Sequence, residues 1–251
     1  METRFPFEIT PQPDDATCGP SCLHAVYRYY GDILPLEQVI AEVPSLEGGG
    51  TLAVQMACHA LKRGYRATIY TYNLHVFDPT WFKEETEVDI PAKLGEQARH
   101  KTDDPKLQFA TPAYIEFLKR GGVLRFEDLT AALIRKYLNR RIPLITGLSS
   151  TYLYRAAREA GEGPLVDDDV RGYPSGHFVV VCGYDREARK ALVADPYARN
   201  PMSGEKKYVV DINRVLIAVL LGVITYDANV LIVRPGHRRE RTEHANPVGG
   251  G

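Results

Sequence analysis

Long apolar runs are scarce in this 251-residue chain. The longest, Val215 to Ile224, falls well short of the roughly 20 residues that a membrane span needs. The opening METRFPFEITPQ carries charges and prolines where a secretory signal would need an apolar core. No membrane partner is therefore expected. Excess charge of one sign is also missing, since the formal net charge is -1, and without a basic field nucleic acid is not an expected partner. Cysteine is sparse too, with four residues and no close CxxC pair. That pattern predicts free thiols in a reducing, cytoplasmic setting rather than a disulfide framework. The glycine triplet at 48 to 50 matches neither the P-loop nor the dinucleotide fingerprint, so it reads as a flexible connector and no cofactor is expected.

What remains is a balanced composition, 44% hydrophobic and 25% charged, enough to bury one core. The expected organisation is a single domain over 1 to 236 with an irregular insertion at about 73 to 106. A flexible polar tail, HRRERTEHANPVGGG, follows at 237 to 251.

The richest stretch is QPDDATCGPSCLHAVYRYYG, from Gln12 to Gly31. Apolar residues recur at helical spacing through Cys22, Leu23, Val26, Tyr27 and Tyr30, and Gly31 supplies a stop. Cys18 then falls at the helix N-terminus. Unpaired N–H groups and the positive end of the helix dipole favour a thiolate there and leave the sulfur near a surface. Gln12, six residues upstream, could donate an amide N–H to an oxyanion beside that thiol.

Further on, LEQVIAEV at 36 to 43 reads as a short helix. Thr51 caps a second helix through LAVQMACHALKR, and YRATIYTY at 65 to 72 reads as a strand. Cys58 and His59 are adjacent in that helix and point to different faces, so both read as structural and no metal site is expected. Thr111-Pro112 opens another helix, FEDLTAALIRKYLNR at 126 to 140 a further one, and IPLITGL at 142 to 148 a buried strand. Residues 149 to 175 read as an exposed loop.

A second chemical motif follows. Gly176-His177 opens the β-branched run FVVVCGYD, and ALVAD, ending at Asp195-Pro196, forms its hairpin partner. With the turn near Glu187, Asp195 lies opposite Val179, on the same sheet face as His177. Diagonal neighbours of that kind are about 7 to 8 Å apart at Cα, so the carboxylate can reach the imidazole. Thiol chemistry on an acyl group needs a thiolate, an imidazole to share and return its proton, a group that fixes the tautomer, and oxyanion donors. Cys18, His177, Asp195 and Gln12 suit those roles in that order. Cys22 and Cys182 lie in apolar surroundings and do not suit a nucleophile. The chain closes with EKKYVVD as a strand, INRVLIAVLLGV as a buried element and DANVLIVRP as a last strand.

On Gln12, Cys18, Gly19, Pro20 and the closing Tyr29, Tyr30 and Gly31, the sequence resembles the bacteriocin-processing double-glycine cysteine peptidases, a papain-like family. The GHxVVxxGYD-like strand and the later ADP extend the resemblance over much of the chain, while Thr17 departs from the acidic residue usual there. The resemblance implies an α+β papain-like fold, the nucleophile helix packed on an antiparallel sheet, in a stand-alone bacterial member not linked to a transporter. It implies cysteine-dependent cleavage of a peptide or related amide bond, with a peptide or protein as partner. The same residues also leave open an amine-accepting ligase or acyltransferase, and a pseudoenzyme that binds peptides without cleaving them.

Overall fold

The structure is a computed structural model that describes residues 2–85, 87–161 and 165–236. The expected tail at 237 to 251 lies outside the described residues. In chain order the elements are β1 (Glu2–Arg4), α1 (Cys18–Tyr29), α2 (Leu36–Glu42), α3 (Ala53–Lys62), β2 (Tyr65–Thr71), α4 (Ile90–His100), α5 (Pro105–Lys119) and β3 (Val123–Arg125). They continue as α6 (Ala131–Leu138), β4 (Leu144–Ser149), α7 (Ser150–Tyr154), β5 (Glu159–Ala160), β6 (Val166–Asp167) and β7 (Gly176–Asp185). The last are β8 (Lys190–Ala194), β9 (Lys207–Asp211), α8 (Ile212–Leu221) and β10 (Asn229–Pro235).

One large sheet has the order β3-β2-β10-β4-β7-β8-β9, and β1 also pairs with β7. Every pairing in it is antiparallel except β2 with β3. The fold is thus α+β, with α1 packed on β7 and α3 on β2 and β10, while α8 and α6 pack on β4. β7 is buried at every position from His177 to Tyr184, so its β-branched run reads as a fully covered central strand. The last strand, β10, lies between β2 and β4 in the middle of the sheet.

Several sequence expectations need correction. Residues 73 to 106 are not irregular. They hold a 3₁₀ turn at Pro79–Phe82, α4 and the start of α5. Helix α4 buries only Leu94, so it shows almost no apolar period. Its signal is instead local, the Asp89 side chain accepting from Ala92 N at 2.9 Å with a proline in the first turn. Likewise α5 starts at Pro105 behind the Asp104 cap, and Pro112 sits inside it. The Asp104-Pro105 pair is the true start signal, and Pro112 loses one backbone hydrogen bond within a helix anchored on α3 and α4.

Thr51 does not cap α3. Its hydroxyl donates to Pro44 O at 2.7 Å, and Leu52 takes the cap position. The glycines at 48 to 50 form a closed turn, with Leu46 N donating to Gly50 O at 2.9 Å while Gly49 and Gly50 take positive φ. Residues 149 to 175 include α7 and the β5–β6 hairpin. The helix expected over 126 to 140 is shorter, starting only after Thr130, whose hydroxyl caps Leu133 N.

Leu144 is fully buried between Val181 of β7 and Ile232 of β10. Leu144→Ala is expected to destabilise the protein by about 2–5 kcal/mol through lost burial and the cavity left behind. Urea denaturation reads this as a lower midpoint at unchanged slope.

Candidate active site

Cys18 is the first residue of α1. The Thr17 side chain does not cap this helix, and its hydroxyl points back to Asp14 O at 3.3 Å. No side chain therefore caps the helix start, where N–H groups lack intrahelical partners. Gly19 is required because a Cβ there would meet Thr51 Cγ2 at 2.5 Å and Met56 Sδ at 3.2 Å. The thiol is less open than its helix-terminal position suggested, with Cys18 only 8% exposed.

The hairpin register brings the second motif to the same place. Val180 pairs with Ala194, so Asp195 follows directly beyond β8 beside the start of β7. His177 Nε2 and Asp195 Oδ1 are 2.9 Å apart. Cys18 lies near enough to the same imidazole to favour its charged form, and with Nε2 taken by Asp195 the ring nitrogen left for the sulfur is Nδ1. Burial opposes charge on His177, but the nearby Cys18 and the hydrogen bond that the imidazole donates to Asp195 outweigh it. They push its pKa up to about 10.

Asp195 has no solvent exposure. Oδ2 accepts from Tyr154 Oη at 2.7 Å and from Tyr208 Oη at 2.8 Å. Oδ1 accepts from Tyr197 N at 2.9 Å as well as meeting the imidazole. Burial raises the carboxyl pKa, yet the bond to His177, its charge, the Tyr154 hydroxyl and the Tyr197 N–H more than offset it, and the group stays below its ordinary range. Sequence reasoning missed Tyr154 and Tyr208. Tyr154 stands 41 residues before Asp195 and Tyr208 13 after it, on other elements, and only the folded sheet brings their hydroxyls to one oxygen.

Gln12 reaches this end of the molecule by its backbone, with Gln12 N donating to Pro196 O at 2.9 Å. Its side-chain Nε2 donates to Asp14 O at 2.8 Å, which leaves its second N–H hydrogen, while Oε1 is buried without a partner among the described residues. The other thiols are distinct. Cys22 is fully buried against Phe178 O, and burial raises its pKa well above the ordinary value. Cys58 donates to Ala113 O at 3.4 Å, and burial pushes its pKa up to about 11. All four cysteines are free. His59 bridges Tyr27 Oη and Glu42 Oε2 at 2.8 and 2.9 Å, a structural use of that imidazole.

A buried imidazole between a thiol and an ionised carboxylate, at an uncapped helix start, is the arrangement that activates sulfur for acyl chemistry. The antiparallel sheet with α1 packed on it is a papain-like α+β fold. The Peptidase_C39 like family matches residues 119–216, a segment that includes His177 and Asp195 and not Gln12 or Cys18, and the chain is similar to that family. Among solved structures, a candidate C39-like peptidase from Bacillus anthracis matches with TM-score 0.51 at 10% identity over 93% of this chain and 97% of that one. A double glycine motif protease from an AMS/PCAT transporter, solved with its leader peptide, matches with TM-score 0.44 at 16% identity over 92% and 94%. Xylellain, a cysteine protease from Xylella fastidiosa, matches with TM-score 0.41 at 12% identity over 93% and 85%. No curated protein matches the sequence.

Tyr208→Phe removes one of the hydrogen bonds to the buried Asp195 carboxylate and is expected to destabilise the protein by about 1.5–3 kcal/mol at pH 7. An acid held below its ordinary value stabilises the fold above the unfolded pKa, and that contribution is lost as pH falls through the folded one. The deficit of Tyr208→Phe should therefore shrink as the carboxylate protonates in acid, which denaturation midpoints at several pH values would record.

Proposed function

We propose that the protein is a cysteine peptidase that cleaves a peptide bond through an acyl-enzyme. The observation that carries this reading is the line from Cys18 through His177 to Asp195, with 2.9 Å between imidazole and carboxylate. The Cys18 thiolate attacks the scissile carbonyl carbon, and the N–H groups at the start of α1 with the remaining Gln12 Nε2 hydrogen receive the oxyanion. The His177 imidazolium gives its proton to the departing amine nitrogen as the C–N bond breaks. Water then gives a proton to His177 while its oxygen attacks the thioester, and the thiolate leaves.

Asp195 holds the ring so that the other nitrogen faces sulfur, and its charge supports the imidazolium. Tyr154 and Tyr208 keep that carboxylate ionised and in place. A peptide or protein is the expected substrate. The four free cysteines favour a reducing compartment, consistent with a cytoplasmic location, and among the described residues no helix is long and apolar enough to cross a membrane.

Cys18→Ala should lower hydrolysis of a fluorogenic peptide library by about 10⁴-fold or more, because such groups act as a unit. Full activity in that variant would end the proposal. Asp195→Asn removes the negative charge that supports the imidazolium, so the alkaline limb of kcat, set by a His177 pKa of about 10, should move to lower pH while turnover drops. An unmoved limb with wild-type turnover would assign the orienting role to another residue.

A further inference from the structure

A second carboxyl lies beside His177 and takes no part in the steps above. Asp227 follows the 3₁₀ turn Gly222–Thr225 and precedes β10. Its position is fixed by the sheet, since Asn229 pairs with Gly147, and Gly147 pairs with Phe178 next to the imidazole. Asp227 is 9% exposed. Its Oδ2 lies directly against Gly176, the residue before His177, and a Cβ built on Gly176 would collide with that oxygen and come within 2.7 Å of Thr225 Oγ1. Glycine at 176 thus opens the backbone wall to the carboxyl. Among the described residues the side-chain partner of this carboxyl is the Thr225 hydroxyl, whose hydrogen is shared with Gly222 O at 3.2 Å. A carboxylate accepts up to about four hydrogen bonds, so most of this capacity is open.

Charged and titratable groups face it from three elements. His177 lies on β7, Lys106 and the buried Tyr114 on α5, and Thr225 on the preceding turn. Lys106 makes no ion pair with Asp227 among the described residues. Its ammonium is held over the Tyr226 ring, 5.4 Å from the centroid, with His75 stacked on that ring at 5.1 Å. Tyr226 also donates its hydroxyl to Asp104, the cap of α5, so helix α5 is tied to the loop that carries Asp227.

We propose that the Asp227 carboxyl is the floor of a substrate subsite beside His177, and that it selects a lysine or arginine side chain next to the scissile bond. This rests on the peptidase reading above. A cationic side chain entering over Gly176 would fill the open acceptor sites with charge-assisted hydrogen bonds, as no neutral residue can. Burial holds the acid up to about 7, against the opposing Thr225 hydrogen bond and the charges of Lys106 and His177. The subsite therefore becomes a full anion only as pH rises through neutrality. Keeping an acid there lowers stability, because the unfolded chain releases that proton more readily. A carboxyl retained at such a position suits recognition better than folding.

The test uses fluorogenic peptides carrying lysine, arginine, norleucine or glutamate in turn at each position flanking the cleaved bond. The wild-type protein should prefer lysine or arginine over norleucine at one position by about tenfold in kcat/KM at pH 8, and less at pH 6. In Asp227→Asn that ratio should fall to about twofold or less, while the variant's melting temperature at pH 8 stays at or above wild type. A cationic preference that survives in Asp227→Asn, or no preference in the wild type, overturns the subsite. If the wild type cleaves none of the peptides, the peptidase reading fails separately. Fluorescence anisotropy with the same peptides on Cys18→Ala then decides the subsite, since equal affinity for lysine and norleucine peptides overturns it and a lysine preference abolished by Asp227→Asn supports it.

Discussion

The Asp195 carboxylate is the constraint on which the site depends. A charge with no solvent exposure is tolerated only when its acceptor sites are filled, and removing one partner of a buried charge is strongly destabilising. Its partners come from four places: His177 on β7, Tyr154 on α7, Tyr208 on β9 and the backbone N–H of Tyr197 beyond β8. The carboxylate therefore needs the β7–β8–β9 register and the placement of α7 to be correct at once. Pro196, the next residue, holds the segment before α1 through Gln12 N. One desolvated group thus ties the sheet to the loop that delivers Cys18.

The imidazole stands near two buried carboxyls with opposite behaviour. Asp195 is filled with donors and kept ionised, whereas Asp227 has only a hydroxyl shared with Gly222 O and is held up to about 7 by burial. Environment alone separates them, since one is surrounded by donors and the other is not. Gly147 and Gly176 permit the second arrangement, since a side chain at either would strike Asp227. The α4–α5 region contributes through Asp104, Lys106 and His75, which brace Tyr226 and with it the loop that carries the acid.

Much of the fold was legible locally. The period of 22 to 30 marked α1, and the β-branched run after His177 marked β7. The hairpin near Glu187 was legible, but its turn alone does not set the register at His177: Asp185 pairs with Lys190 beside the turn, and only a one-residue shift between Val181 and Gly183 brings Val180 opposite Ala194 and so Asp195 onto the face of His177. Helix α4 was hidden because a helix with one buried residue has no apolar stripe to read. Helix α5 was misplaced because Pro112 imitated a start that Asp104-Pro105 makes in fact. At Thr51 a hydroxyl suited to capping found a nearer carbonyl instead.

By itself the sequence determined the chemical inventory: a cysteine at a helix start, a histidine at a strand start, an aspartate after the paired strand, and the periodicities that make those elements. These are consequences of neighbours within about a dozen residues, where backbone geometry leaves little choice. Tertiary structure alone decided how buried Cys18 is, which tyrosines hold Asp195, and that Asp227 comes to rest against Gly176. Those depend on the order β10-β4-β7-β8-β9, in which residues far apart in sequence become adjacent. The free energy of a buried charge is set by which groups that order places around it.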